Sequence, residues 1–159
     1  MTDSEIAERF GFDKTSFKTM FFPDTYRMEW DTDAEEFIAR MASEYRAFWT
    51  GERKAKARNL GLSQSEITTL ASIVQAEQQL HSEERKTIAG LYLNRLNRGM
   101  KLQSDPTVVY ALGDFTIQRV LTKHLQVDSR YNTYKYAGLP PGPINIPYKQ
   151  SIDAVLNAE

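Results

Sequence analysis

Apolar residues recur three and four positions apart along most of this chain, the spacing of helices that bury one face. A short helix is expected over Ser4 to Phe10. From Asp33 to about Leu60 the helical spacing is kept by Phe37, Ile38, Met41, Tyr45 and Phe48, with Gly51 as a candidate break. Ser63-Gln64-Ser65-Glu66 has the form of a capping box, in which serine and glutamate satisfy each other's free backbone N–H groups. A helix therefore starts there, after Gly61, and carries Ile67, Leu70, Ala71, Ile73 and Val74 on one stripe. Another is predicted from about Ser82 to Arg98, with Ile88, Leu91, Tyr92 and Leu96 inward and Gly99 as the stop. Asp105-Pro106 opens a short helix to Gly113, since proline suits a first turn. Thr116 to Leu125 and Lys149 to Asn157 give two more.

Two segments depart from this period. Alternation from Tyr26 to Trp30, after Pro23, predicts an extended stretch or a short edge strand. Three prolines and two glycines within residues 138–143 fit neither a helix nor a central strand, so Gly138 to Ile144 is a shaped loop. The expected class is α+β, mostly helical: a compact domain with short strands and a Pro/Gly-rich loop along a cleft.

At 159 residues the chain matches one domain of roughly 150 residues, taken as residues 1–159. Hydrophobic residues at 41% and charged residues at 26% are the balance of a globular protein. A net charge of -1 gives no bulk field toward nucleic acid or acidic lipid, and the basic run from Arg53 to Arg58 reads as a solvated helix face. The absence of cysteine excludes disulfides, thiolate metal sites and a cysteine nucleophile. No stretch approaches the ~20 apolar residues of a membrane span, and the polar start at Met1-Thr2-Asp3-Ser4 is unlike a signal peptide. The fragment is expected to be soluble without membrane contact, and to be a piece of a longer, anchored protein.

The candidate chemistry lies at Glu77. At about 100 degrees per residue, Ile67, Leu70, Ile73 and Val74 share a sector that also takes in Glu77, which predicts a carboxylate on the buried face. Such a group must be paired, hydrogen-bonded or pushed toward its neutral form by desolvation, and a protonated glutamate is what a glycosidic-bond cleaver requires. Periodicity alone equally allows a glutamate turned to solvent or paired with Arg85 or Arg95. His81 and His124 have no second ligand or nucleophile near them in sequence and read as surface or core residues.

Five motifs occur in order: Leu70-Ala71-Ser72-Ile73-Val74-Gln75-Ala76-Glu77; Ala89-Gly90-Leu91-Tyr92-Leu93-Asn94-Arg95-Leu96; Leu102-Gln103-Ser104-Asp105-Pro106-Thr107; Tyr131-Asn132-Thr133-Tyr134; and Gly138-Leu139-Pro140-Pro141-Gly142-Pro143-Ile144. Together they closely resemble the YceG-like endolytic murein transglycosylases, from about Phe21 to the C-terminus. The resemblance maps the family's catalytic glutamate onto Glu77. It implies non-hydrolytic cleavage between N-acetylmuramic acid and N-acetylglucosamine, leaving a 1,6-anhydro ring, with no metal or organic cofactor. Where many members carry a second glutamate this chain has Gln75. Lys86 and Arg130 stand where proline is expected, and Tyr148 where a small residue is expected.

The same resemblance suggests a glycan groove. Gln103, Ser104 and Asp105 are expected to hydrogen-bond sugar groups, with a helix cap as the alternative for Asp105. Tyr131, Asn132 and Tyr134 offer stacking surfaces and an amide, or else serve the core. Asn94 and Arg95 are expected either to orient Glu77 or to pack helices. Family members usually carry a membrane-spanning helix, a LysM-like region and a strand-forming continuation, so this chain resembles an excised catalytic core. In the full-length protein it would stand at the periplasmic or extracytoplasmic face of the inner membrane. The expected partners are peptidoglycan strands and proteins of the cell-wall synthesis complex. Two alternatives stay open: a non-catalytic glycan- or partner-binding core, and a hydrolytic muramidase.

Overall fold

The computed structural model describes residues 3–159. Its helices are α1 (Asp3–Arg9), α2 (Ala34–Phe48), α3 (Gly51–Asn59), α4 (Gln64–Glu77), α5 (Arg85–Asn97), α6 (Asp105–Leu112) and α7 (Lys149–Leu156), with short 3-10 turns at Phe17–Met20, Ser82–Glu84 and His124–Gln126. Among the described residues there is no strand. The expected α+β class is therefore wrong, and the described fold is all-helical with long shaped loops. The alternation from Tyr26 to Trp30 finds no neighbouring strand to complete a ladder, and an unpaired strand has little stability of its own. Instead the Tyr26 hydroxyl turns back to the Phe22 carbonyl at 2.8 Å, and Trp30 stands fully in solvent.

The centre of the fold is α4, which packs against α3, α5, α6 and α7. It carries more than the single apolar stripe expected: every residue from Ile67 to Val74 is buried. Thr68, Thr69 and Ser72 make this possible because small side chains let neighbours approach, and hydroxyls can be satisfied within the helix. Thr68 donates to the Gln64 carbonyl at 3.0 Å and Ser72 to the Thr69 carbonyl at 2.7 Å. Leu93, Leu102, Ile152, Val155, Phe48 and Trp49 complete the main core. A second cluster around Met20 and Met41 is walled by Phe12, Phe17 and Phe21.

Local signals set the helix boundaries. The capping box at α4 forms as expected, with Ser63 Oγ accepting from Glu66 N and the glutamate carboxylate accepting from Ser63 N. The break between α2 and α3 falls at Trp49 and Thr50. Thr50 caps α3, and Gly51 is that helix's first residue. The basic run is less solvated than expected, because Arg53 pairs with Asp153 of α7 at 2.7 Å and lies over the Phe48 ring at 4.1 Å. Between Thr116 and Leu125 no helix forms apart from the start of the His124–Gln126 turn. Asp114 captures the Thr116 N–H and hydroxyl, His124 Nδ1 takes the Leu121 N–H, and β-branched Thr116, Ile117 and Val120 add little helical preference.

Candidate active site

Glu77 is the last residue of α4, where the helix emerges from its neighbours. Val74 is fully buried, Gln75 and Ala76 are half-buried, and Glu77 is exposed. The burial expected from the helical wheel does not hold, because angular position says nothing about where the covering elements stop. The chain turns sharply at Gln78, and the buried guanidinium of Arg85 fastens that turn: Nε donates to the Gln78 carbonyl at 2.9 Å and a terminal nitrogen to the Gln79 carbonyl at 3.3 Å. The backbone of Glu77 is thereby held by a cap that water does not supply.

The carboxyl group is held separately. Its Oε1 accepts from the Ser104 hydroxyl at 2.6 Å and from the Tyr92 hydroxyl at 2.9 Å. Among the described residues nothing else hydrogen-bonds or ion-pairs with it, so Oε2 is left to solvent. Arg85 is committed to two carbonyls and the Ser151 hydroxyl, and Arg95 donates to the Leu102 carbonyl, so neither forms the ion pair that periodicity allowed. Tyr92 is buried; desolvation first, and the Glu77 charge second, push its hydroxyl well above the ordinary phenol range. It therefore stays protonated and acts as a donor.

Ser104 reaches Glu77 through an unusual turn. Gln103 has φ 54, the left-handed region uncommon outside glycine, and this delivers Ser104 to the N-cap position of α6. A serine there ordinarily caps its own helix. Ser104 makes no such cap, and its hydroxyl goes to Glu77 instead. Thr133 fixes the backbone that allows this. Its carbonyl accepts from Gln103 N at 3.1 Å and its hydroxyl from Ser104 N at 2.9 Å. The Thr133 hydroxyl also meets that of Thr107 at 2.8 Å, and Thr107 donates to the Ser104 carbonyl at 2.7 Å. Ser104, Thr107 and Thr133 are all buried.

The remaining expected residues separate into two groups. Asp105 is exposed and accepts from the Tyr134 hydroxyl at 2.5 Å, and burial together with this bond pushes Tyr134 up to about 12. Since Ser104 holds the N-cap position, Asp105 does not. Gln103 projects an exposed side chain beside this pair. Asn132, by contrast, is fully buried and occupied: its amide donates to the Leu125 and Val127 carbonyls at 2.9 and 2.8 Å and accepts from Tyr134 N at 3.0 Å. Tyr131 is half-buried, its ring 4.8 Å from that of Tyr110. Asn94 is exposed and, like Arg95, makes no hydrogen bond to Glu77.

Sequence reasoning missed Tyr92, Thr107 and Thr133. For Tyr92 a signal existed: an inward-facing tyrosine must find a partner for its hydroxyl, and Glu77 was the charged group assigned to the neighbouring helix. For the threonines there was none, since their contacts span 26 and 29 positions and depend on how the loops fold.

A cavity of about 430 Å³ opens beside this arrangement. Its walls include Ala76, next to Glu77, and Asp105, next to Ser104, together with Val109, Tyr110, Phe115 and Ile144. Glu77 itself stands outside the lining. A helical core presenting one solvent-facing carboxyl, oriented by two neutral donors beside an open cavity, has the geometry that acid–base chemistry on a bound ligand requires.

Comparison with known proteins shows the family. The chain belongs to the YceG-like family, whose model matches residues 2–159. It is 37% identical over 139 residues to the endolytic murein transglycosylase of Bacillus subtilis (strain 168), covering 87% of this chain and 38% of that protein. To the endolytic murein transglycosylase of Streptococcus pneumoniae serotype 2 it is 35% identical over 144 residues, covering 86% of this chain and 25% of that protein. The crystal structure of a YceG-like protein from Listeria monocytogenes matches with TM-score 0.76 at 37% identity, covering 89% of this chain and 46% of that one. The chain thus spans less than half the length of each.

Proposed function

We propose that this chain is the catalytic core of an endolytic murein transglycosylase, one domain over residues 1–159, acting on the glycan strands of peptidoglycan. The observation that carries this is the division of labour at Glu77. Oε1 is occupied by two donors, so in the acid form the proton resides on Oε2, the oxygen that faces solvent. From there it passes to the oxygen of the bond between N-acetylmuramic acid and N-acetylglucosamine as that bond breaks. The resulting carboxylate then takes the proton of the muramyl C6 hydroxyl, whose oxygen closes onto C1 to form the 1,6-anhydro ring. One carboxyl serves both steps, the charge it develops is met by Ser104 and Tyr92, and the proton count balances without water.

The relatives' names support the reaction class, and the arrangement around Glu77 supports its role. Gln103, Asp105 and Tyr134 stand where a sugar passing Glu77 would meet hydrogen-bonding groups. Tyr131 and Asn132 serve to hold the loop that carries Tyr134. In the full-length protein the site works at the extracytoplasmic face of the inner membrane, where its substrate is made, alongside the proteins that synthesise the wall. Glu77→Gln tests the proposal on purified glycan strands: the amide preserves the two hydrogen bonds but cannot return a proton, so cleavage should fall by at least about a hundredfold. A folded variant that still cuts would overturn it.

A further inference from the structure

Arg85 is the only buried charged side chain among the described residues, 6% exposed, and no carboxylate there pairs with it. Its partners are all neutral: the Gln78 and Gln79 carbonyls at 2.9 and 3.3 Å and the Ser151 hydroxyl at 3.2 Å. A cation taken out of water without a counter-charge is unfavourable. An apolar side chain of similar volume is often as stabilising in such a place, so packing does not account for an arginine. The two carbonyls it takes lie just past the end of α4, where a helix leaves acceptors free and its dipole favours a positive charge.

Arg85 and Tyr92 belong to the same helix, α5, and stand about two turns apart, so their side chains leave one face. From that face Tyr92 donates to the Glu77 carboxyl at 2.9 Å, while Arg85 closes the turn that follows the Glu77 backbone. Helix α5 thus grips Glu77 twice, once through the side chain and once through the main chain. The grip extends to α7, because the Ser151 hydroxyl that accepts from Arg85 donates to Gln75 Oε1 at 2.8 Å, one residue short of Ala76 and Glu77. Glu84, beside Arg85, accepts from the Gln78 side-chain amide at 2.5 Å, and Gln78 Oε1 accepts from the Leu80 and His81 N–H groups at 3.3 and 3.2 Å.

We infer that Arg85 is a positioning residue for the reaction at Glu77. It fixes where α4 ends relative to α5, and so fixes how the carboxyl reaches Ser104 and Tyr92. With so little surface it does not meet substrate, and its effect on the chemistry runs through the backbone at Gln78 and Gln79. A reacting group displaced by about one ångström loses on the order of a hundredfold in rate. The inference rests on the reaction proposed above, since it gives Arg85 a part in that step and no chemistry of its own.

Steady-state kinetics on glycan strands, run well below each variant's Tm, test this. Arg85→Met keeps much of the volume and loses every donor, so kcat should fall at least about tenfold while KM moves by less than about threefold. Arg85→Lys keeps the charge and can still serve one carbonyl. It should recover part of the loss, and it carries the test if the methionine variant does not fold. Combining either variant with Tyr92→Phe should lower kcat by less than the product of the single losses, because both residues act on one carboxyl. Arg53→Met is the control for stability: it breaks the pair with Asp153 of α7 and should lower Tm while leaving kcat within about twofold. Unchanged kcat in every Arg85 variant that folds, losses that multiply in the combined variant, or an equal kcat loss in Arg53→Met would overturn the positioning role. A Glu77→Gln protein that still cuts would defeat the proposed reaction itself, whereas an inactive Glu77→Gln beside fully active Arg85 variants would defeat this inference alone.

Discussion

Ser104 and Glu77, 27 positions apart in sequence, meet at 2.6 Å because the serine gives up the helix cap its position would ordinarily make. Tyr92 supplies the second bond to the same oxygen at 2.9 Å. If these two donors aim Oε2, removing either should slow the chemical step while leaving substrate affinity nearly unchanged. Ser104→Ala and Tyr92→Phe should each lower kcat by about ten- to a hundredfold, the cost of misplacing a reacting group by a fraction of an ångström to one ångström. KM should move by less than about threefold, since both donors touch Glu77 and not the substrate, and an effect on the chemical step alone falls on kcat. Steady-state kinetics on glycan strands separate the cases: an effect confined to KM would make these residues substrate contacts instead.

Thr133→Val tests the layer behind Ser104. Valine keeps the shape but leaves the Ser104 N–H buried without an acceptor, a loss of about 1–3 kcal/mol. For a chain of this size that lowers Tm by roughly 2–12 °C, and the loosened Ser104 should lower kcat as well. A calorimetric Tm equal to wild type, with full activity, would show that the hydroxyl network is incidental.

Much of this architecture was legible in the sequence, and the failures have physical causes. Helices α2, α4, α5, α6 and α7 followed from periodicity, and α4 and α6 also encode a boundary in nearby residues, the Ser63–Glu66 capping box and Gly113. Of the two readings of Tyr26 to Trp30, an extended stretch or a short edge strand, the edge strand failed because a strand depends on a partner that local pattern does not reveal. The helix expected at Thr116 failed because Asp114 and His124 offered the backbone better local bonds. Glu77 stood out as a charged residue in an apolar sector, but its exposure and its two donors depend on where α4 ends and on a loop that returns near residue 104. Asn132 shows the reverse: a residue chosen for its chemistry is consumed by the loop it holds together.

Gln75 is fixed in structural terms. Its side-chain oxygen accepts from Tyr148 N and from the Ser151 hydroxyl, both at 2.8 Å. A carboxylate oxygen accepts from the same two donors, and Arg85 lies one bond further on through Ser151 at 3.2 Å. Gln75→Glu should therefore fold and keep its activity, with Tm unchanged or raised. A fall of more than about 4 °C, equivalent to at least 1 kcal/mol, would contradict this account of the α4–α7 contact.

The proline-rich loop rests on the N-terminal segment at Gly142, where an added Cβ would lie 2.4 Å from the Thr15 carbonyl oxygen. Backbone cannot yield as a flexible side chain does, so Gly142→Ala should cost about 1–3 kcal/mol. Gly51→Ala, with open space around it, should be neutral or slightly stabilising. The turn that carries Thr15 is held by Asp13, whose carboxylate accepts from Thr15 and Ser16 and is lowered by those bonds from 3.8 to about 2. A depressed carboxyl contributes stability that is complete above its unfolded value and is lost as pH falls toward 2. Melting curves between pH 5 and pH 2 should show this acid loss, reduced in Asp13→Asn; identical profiles would exclude the turn as its source.

The central claim is that the Glu77 carboxyl moves a proton from the substrate's own C6 hydroxyl and does not activate water. Digesting glycan strands in water enriched in heavy oxygen and weighing the fragments tests it most directly. New ends should be 1,6-anhydromuramyl residues, one water lighter than reducing ends and free of the heavy isotope. Fragments whose new reducing ends carry heavy oxygen would show hydrolysis and contradict the account.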